Sequence, residues 1–264
     1  MNDAGIRVRR ETRDEGGFVA HVTIDNAARL NSLNRRLMDE FAQTMAALSQ
    51  DPDLRGVVLS GAGEKAFVGG ADIDEMAGLD GAGARAFITR VHRCCAAVRD
   101  CPVPVIARIA GHALGAGLEL AAACDLRAAA DGARFGMPEV RLGIPSVVEA
   151  AVLPSLVGWG RTRQMLLLGE TFGADEAARW GLLEQVVPAQ ELDLVIARWL
   201  DALLACGPQS IRLQKRLIRR WEDLPLRDAI AAGIDTFAQA YESDEPARMM
   251  ARFRAAHRAR KGGA

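Results

Sequence analysis

The chain has little from which to build a metal centre, a disulfide framework or a membrane anchor. Its 264 residues include only 4 histidines, and none stand at ligand spacing, so no metal site is expected. The cysteines are Cys94, Cys95, Cys101, Cys124 and Cys206. Their odd number and the adjacent pair fit neither a disulfide framework nor zinc spacing. A reducing cytoplasm is the simplest setting, with the thiols as small buried hydrophobes. No apolar run is long enough to span a membrane. The first ten residues lack the apolar core of a signal peptide, so a cytoplasmic chain without membrane association is expected. One sign of charge does not dominate: 33 Lys and Arg face 34 Asp and Glu, a net charge of −1. That argues against a general nucleic-acid partner. The most basic stretch, Arg252 to Lys261, has no useful interleaving of aromatics and reads as a solvated helix face.

Hydrophobic residues, by contrast, make up 50% of the chain, and there are 26 glycines. The length fits one large domain or a domain with a small appendage. Residues 5–10 and 17–24 alternate in polarity around Asp14-Glu15-Gly16-Gly17, which predicts an edge hairpin. Asn34 is placed to cap a helix over 35–50, with Leu37, Phe41, Met45 and Leu48 on one face. A buried strand is expected at 55–60, a helix at 82–99, a strand at 103–109 and another at 125–130. Residues 133–136 read as extended, and Pro138 and Pro145 bracket a rigid loop. Helices are expected at 147–156, 161–168 and 174–181, and a last strand at 183–187. From Gln190 to Arg260 the chain reads as helical, with breaks at Gly207-Pro208, Leu224-Pro225 and Ser243 to Pro246. Strand–helix alternation followed by helices implies an α/β core, residues 1–195, and a C-terminal helical region, residues 196–264.

Two glycine-rich turns carry the chemistry. In the central one, the strand ending at Ile109 leads through Gly111, Gly115 and Gly117 into an apolar helix. Few side chains there block a ligand from the backbone, and a helix N-terminus offers free N–H groups to an anion or a developing oxyanion. Glu119 follows Ala116 by three residues, on the same helical face. A carboxylate beside such an amide suits proton transfer next to a carbonyl. Turns of this kind also bind nucleotides or simply reverse the chain, and Glu119 also fits as an idle first-turn charge. The earlier turn repeats the pattern: Gly69 and Gly70 free the backbone, the Ala71 N–H points outward, and Asp72 caps a helix starting near Ile73. A second amide donor is what an oxyanion hole requires.

In this order and separation, these stretches resemble the signatures of the enoyl-CoA hydratase/isomerase (crotonase) superfamily. Residues 65–76 are similar to its first signature, 111–125 to its second, and 134–145, which contain Glu139, to its third. The likeness runs over roughly residues 6–260. It implies a spiral of repeated ββα units with C-terminal helices that build trimers, often paired into hexamers. It implies an acyl-CoA substrate, coenzyme A being part of the substrate rather than a cofactor. It places the backbone N–H groups of Ala71 and Ala116 as the oxyanion hole and Glu119 and Glu139 as the acid/base pair. Arg29 and Lys65 match positions near the CoA phosphates and adenine, and Ala71, Asp72, Ile73 and Gly115 are implied as further substrate contacts. His112 is expected to be a packing or pocket-wall residue.

The implied reaction adds water across the 2,3 double bond of a 2-enoyl-CoA. Ionised Glu119 would activate the water and protonated Glu139 would deliver the α-proton. Coupled carboxylates leave the reverse assignment open. Other readings stand beside it: an isomerase, which needs only one base, another acyl-CoA reaction of the superfamily, and a non-catalytic acyl-CoA-binding subunit. One segment departs from the family. Where its hydratases carry a glycine-rich helix start, this chain has Ser146-Val147-Val148-Glu149. Glu149 reads either as a further acid/base group or, the reading preferred here, as a carboxylate facing solvent on a first helical turn, where the dipole favours it.

Overall fold

Each time the chain leaves one sheet it enters a second. The computed structural model describes the backbone of residues 4–13 and 16–262, and side chains as far as Arg258. Met1 to Asp3, Asp14 and Glu15 of the expected hairpin turn, and the side chains of Arg260 and Lys261, lie outside the described residues. The elements in order are β1 (Gly5–Thr12), β2 (Phe18–Asp25), α1 (Arg35–Ser49), β3 (Leu54–Gly61), β4 (Ala66–Val68), α2 (Ile73–Met76) and α3 (Gly81–Arg99). Then come β5 (Val105–Ile109), β6 (His112–Leu114), α4 (Ala116–Ala123), β7 (Leu126–Ala130), β8 (Arg134–Gly136) and α5 (Leu153–Leu168). The chain continues through β9 (Thr171–Gly173), α6 (Ala174–Arg179), β10 (Gln185–Val187), α7 (Leu192–Leu204), α8 (Pro208–Trp221), α9 (Leu226–Ala240) and α10 (Glu245–Gly262).

The larger sheet runs β1-β2-β3-β5-β7-β10 and the smaller β4-β6-β8-β9. Only the β1–β2 and β8–β9 pairs are antiparallel. The pairs β3–β4, β5–β6 and β7–β8 each place their first strand in the larger sheet and their second in the smaller. A turn or helix follows the second strand each time. These are the repeated ββα units of the α/β architecture that the resemblance implies. The parallel strands β3, β5 and β7 are buried along most of their length, which is why their sequences read as apolar runs and not as alternations. Helices α1 and α3 pack on each other and α3 on α4, closing a core that includes Phe41, Phe67, Ile109 and Phe135, all fully buried.

The described chain divides into two compact units, the first ending at Leu200 and the second beginning at Asp201, within α7. In the second unit α8 and α9 pack together, and Glu245 accepts the backbone N–H groups of Gln209 (3.0 Å) and Ser210 (2.7 Å) in the first turn of α8. No described helix is long and apolar enough to cross a membrane. All five cysteines are free, and four are buried. Cys206 is exposed, so the expectation of a buried thiol does not hold there.

One buried ion holds the larger sheet's far edge. Arg127, only 4% exposed, donates from Nε to the Leu182 carbonyl (2.8 Å) and through its terminal nitrogens to the Cys124 carbonyl (2.5 Å) and Glu184 Oε1 (2.6 Å). Removing one partner of a buried pair strands the groups left behind. Arg127→Met is therefore expected to cost ~3 kcal/mol or more, read as a lower urea midpoint with an unchanged slope.

Candidate active site

The turns after β4, β6 and β8 converge because those strands are neighbours in the smaller sheet. The first turn runs from Gly69 to Asp72. Leu33 donates its N–H to the Gly70 carbonyl (2.9 Å), and its own carbonyl accepts the Asp72 N–H (2.9 Å). In a parallel bridge of this kind the peptide groups on either side of the paired residue make the bonds. Ala71 is that residue, so its own N–H faces away from Leu33. The Asp72 side chain, buried, accepts the N–H groups of Asp74 (3.0 Å) and Glu75 (3.3 Å) and so caps α2.

The second turn ends at Gly115. Its φ of 52° and ψ of −122° belong to a region that residues with a Cβ rarely enter. Its carbonyl accepts the N–H groups of Leu118 and Glu119. Ala116 is the first residue of α4, and a first helical N–H has no carbonyl one turn earlier to receive it. The third turn carries Glu139. A Cβ placed on Gly115 would stand 2.2 Å from Glu139 Oε1, which measures how closely the carboxylate lies over that backbone. Glu139 Oε2 accepts the Ser146 hydroxyl at 2.8 Å.

Ala71, Gly115, Ala116, Glu119, Glu139 and Ile73 all line one cleft with a cavity of about 100 Å³. Its other walls are largely apolar, with Met76, Phe87, Val91, Leu142, Ile144 and Val147 among them, and no Lys, Arg or His lines it. Glu119 is 4% exposed, and its Oε1 accepts the Ala150 N–H at 3.2 Å. Burial is the main cause that pushes its pKa up from 4.5 to about 8; the nearby Glu139 charge adds to this, the Ala150 N–H opposes it, and Glu149 adds a further rise. The cleft therefore favours the protonated form of Glu119, with desolvation as the main reason. That direction favours the reverse assignment of the two carboxylates, which their coupling left open.

Other expected site residues lie elsewhere. The Arg29 guanidinium is paired with Asp74 and stands 3.5 Å from Asp72. Neither Arg29 nor the exposed Lys65 lines the cleft. Asp72 is absent from the lining too, its carboxylate being committed to the cap. His112 is half-buried on β6 and does not line the cleft.

The departing segment is also corrected. Residues 148–152 form a 3-10 turn and α5 begins only at Leu153. The break expected between the helices at 147–156 and 161–168 is present as a kink at Gly158, whose φ is 74°; only the start of the first helix is displaced. Glu149 does not face solvent. It is 6% exposed and its Oε1 lies 2.9 Å from His92 Nδ1. Packing of the 3-10 turn against α3 and α4 decides this against the dipole argument. Sequence reasoning gave no role to Ser146 or His92. Phe87 and Val91, four residues apart on α3, stand on one helical face and form part of the cleft wall.

Comparison with known proteins shows the family. The family model described as enoyl-CoA hydratase/isomerase matches residues 14–258. The short-chain-enoyl-CoA hydratase of Clostridium acetobutylicum is 34% identical over 241 residues, covering 91% of this chain and 92% of that protein. The crotonyl-CoA hydratase of Syntrophomonas wolfei is 34% identical over 236 residues, covering 89% and 91%. The crystal structure of an enoyl-CoA hydratase from Bacillus anthracis superposes with a TM-score of 0.89 at 30% identity, covering 95% of this chain and 96% of that one. With three convergent turns, two carboxylates in one apolar cleft and likeness over nearly the whole length, the chain belongs to the enoyl-CoA hydratase/isomerase family.

Proposed function

We propose that the chain hydrates a 2-enoyl-CoA to the 3-hydroxyacyl-CoA. The observation that carries this reading is that two glutamates and two alanine residues with N–H groups left over from secondary structure line the same apolar cleft. The thioester oxygen sits between the Ala71 and Ala116 N–H groups, at the N-terminus of α4. Charge builds on that oxygen when water adds to C3, and fixed donors stabilise it by ~3 kcal/mol each. Glu139 takes a proton from the water as its oxygen bonds to C3. Glu119, which burial keeps protonated, delivers its proton to C2. Each turnover thus leaves the proton on Glu139, and it returns to Glu119 before the next.

The acyl group is short and uncharged in this reading. A cavity of about 100 Å³ suits a short chain, and a lining with two carboxyl groups and no described cation offers a carboxylated one no partner for its charge. The names of the Clostridium and Syntrophomonas relatives point the same way. On one side of α9 the residues Leu226, Ile230, Ile234, Phe237 and Tyr241 are exposed, at helical spacing. This stripe supports self-association of the C-terminal unit, as expected of a trimer-forming family.

The test is loss of enoyl-thioester absorbance with crotonyl-CoA, a longer 2-enoyl-CoA and a 2-enoyl-CoA carrying a second carboxylate. Rapid loss with crotonyl-CoA and formation of 3-hydroxybutyryl-CoA is the expected result. No hydration of any of them, with binding intact, would sink the reading. Glu139→Gln is expected to lose nearly all activity, whereas an isomerase working through Glu119 alone would keep it. Ser146→Ala removes a hydrogen bond to a carboxylate and is expected to lower kcat about tenfold with little change in KM, read by steady-state kinetics.

A further inference from the structure

We propose that Glu149 and His92 are a positioning pair for Glu119: together they hold the turn at 148–150 in the conformation that aims the Ala150 N–H at the Glu119 carboxylate. The inference rests on the hydratase reading only for its consequence in catalysis.

Three observations meet at this turn. Val148 has a φ of +41°, a left-handed conformation that a β-branched residue adopts only when its surroundings impose it. The next side chain, Glu149, is buried and tied across to α3, its Oε1 at 2.9 Å from His92 Nδ1. The following residue, Ala150, shares its N–H between the Val147 carbonyl at 2.9 Å, which closes the turn, and Glu119 Oε1 at 3.2 Å. An unfavourable backbone step is thus followed at once by a tether, and the tether by the amide that serves the carboxylate. His92 is half-exposed, with 54% of its side chain accessible, so the tether runs from the surface of α3 inward. Glu149 Oε2 is buried with no hydrogen-bond partner among the described residues. A carboxylate left half-satisfied in the interior is costly, and its value here lies in the fixed position and charge it gives the site.

The titratable groups that face the pair or Glu119 are, from α3, His92 itself and the thiols of Cys94 and Cys95; from α4, Glu119; and from the turn after β8, Glu139. The first two turns of α5, Leu153 to Gly160, carry no charged residue. The pair therefore acts on Glu119 in two opposed ways. The Glu149 charge disfavours ionisation of Glu119, and the Ala150 N–H that the tether aims favours it. Removing the charge and removing the tether must move Glu119 in opposite directions.

The experiment follows the titration of Glu119 by carboxyl carbon NMR of the full-length protein labelled at glutamate, assigned by comparison with Glu119→Gln. Glu149→Gln keeps an acceptor for His92 and loses the charge, and is expected to lower the Glu119 pKa by about half a unit to one unit. His92→Ala keeps the charge and frees the turn, and is expected to raise it. His92→Asn, whose amide nitrogen takes the place of Nδ1, is expected to restore the parent value. Both pKa-shifting variants should lower kcat for crotonyl-CoA about tenfold, with KM nearly constant and the pH profile displaced with the titration. A Glu119 titration that stays at the parent's value in both variants, or moves the same way in both, overturns the proposal. The titration does not depend on turnover, so a parent protein that failed to hydrate crotonyl-CoA would refute the hydratase reading and leave this test decisive. If Glu149→Gln did not fold, the two replacements of half-exposed His92 would decide alone: a rise with alanine and its reversal with asparagine support the tether, and any other result overturns it.

Discussion

Glu119→Gln is expected to give a protein that hydrates crotonyl-CoA ~100- to 10,000-fold more slowly than the parent and yet is more stable above pH 8. Both effects have one cause. The glutamine keeps a carbonyl oxygen to accept the Ala150 N–H, so the turn at 148–150 is undisturbed. What disappears is the proton, and with it the charge that must eventually be buried. In the folded chain Glu119 ionises near pH 8, against an ordinary value of 4.5. Between those limits the folded state holds a proton that the unfolded chain has released, so stability falls as pH rises from about 4.5 to about 8. The loss is of order a few kcal/mol, complete above the folded pKa and absent below the unfolded one. Glutamine removes this slope. Urea unfolding of parent and variant at a pH below 4.5 and a pH above 8 checks it: the two stabilities should agree at the acid end and diverge at the alkaline end. Parallel curves would mean that the carboxyl is solvated in the folded protein.

Gly117→Ala is expected to damage fold and catalysis together. A Cβ on Gly117 would stand 2.0 Å from the Val68 carbonyl oxygen and 2.8 Å from its carbonyl carbon. Backbone cannot turn aside as a side chain can, so α4 must lift from β4. Overpacking of this kind costs ~1–3 kcal/mol. The displacement also falls on the site, because Ala71 follows β4 and Ala116 opens α4. The Gly117–Val68 contact therefore sets the separation of the two amides, and a shift near 1 Å costs on the order of 100-fold in rate. A lower Tm accompanied by a fall in kcat/KM of that size is the expected pair of results. A lower Tm with unchanged kinetics would show that the amides do not hold the reacting oxygen.

These two residues also mark what the sequence can and cannot disclose. Features decided within a few residues were legible in it. Asn34 caps α1 by accepting the Leu37 N–H at 2.9 Å, and Asp72 caps α2, both as their side chains and spacing imply. The breaks before Pro208, Leu226 and Glu245 are the starts of α8, α9 and α10. The three-residue strands β4 and β6 were not legible. They are too short for any periodicity, and their partners lie in separate repeats. Glu119 could be singled out by its three-residue distance from Ala116, but not its protonation, which comes from burial by α3 and the 148–152 turn. Glu139, in a proline-bracketed loop, reads by position alone as a surface charge, and only the likeness to a known signature singles it out. Glu149 fails for the same reason in the other direction: a first-turn carboxylate is a local argument, and its burial is a long-range fact.

The alternation between two sheets has a consequence for how such a protein can change. Ala71, Ala116 and Glu139 each follow the second strand of a different repeat, so no single repeat contains the whole cleft. The backbone amides lie on the first two repeats, while Ser146, Val147 and Glu149 lie on the third, downstream of Glu139. Drift in the third repeat can therefore alter which acyl group fits and how the carboxylates are charged while the amide pair stays fixed by β4 and α4. The segment from Ser146 to Ala150 is in that sense an exchangeable cassette. Transplanting a glycine-rich helix start from a relative into this position would retune the chemistry without rebuilding the cradle for the thioester oxygen.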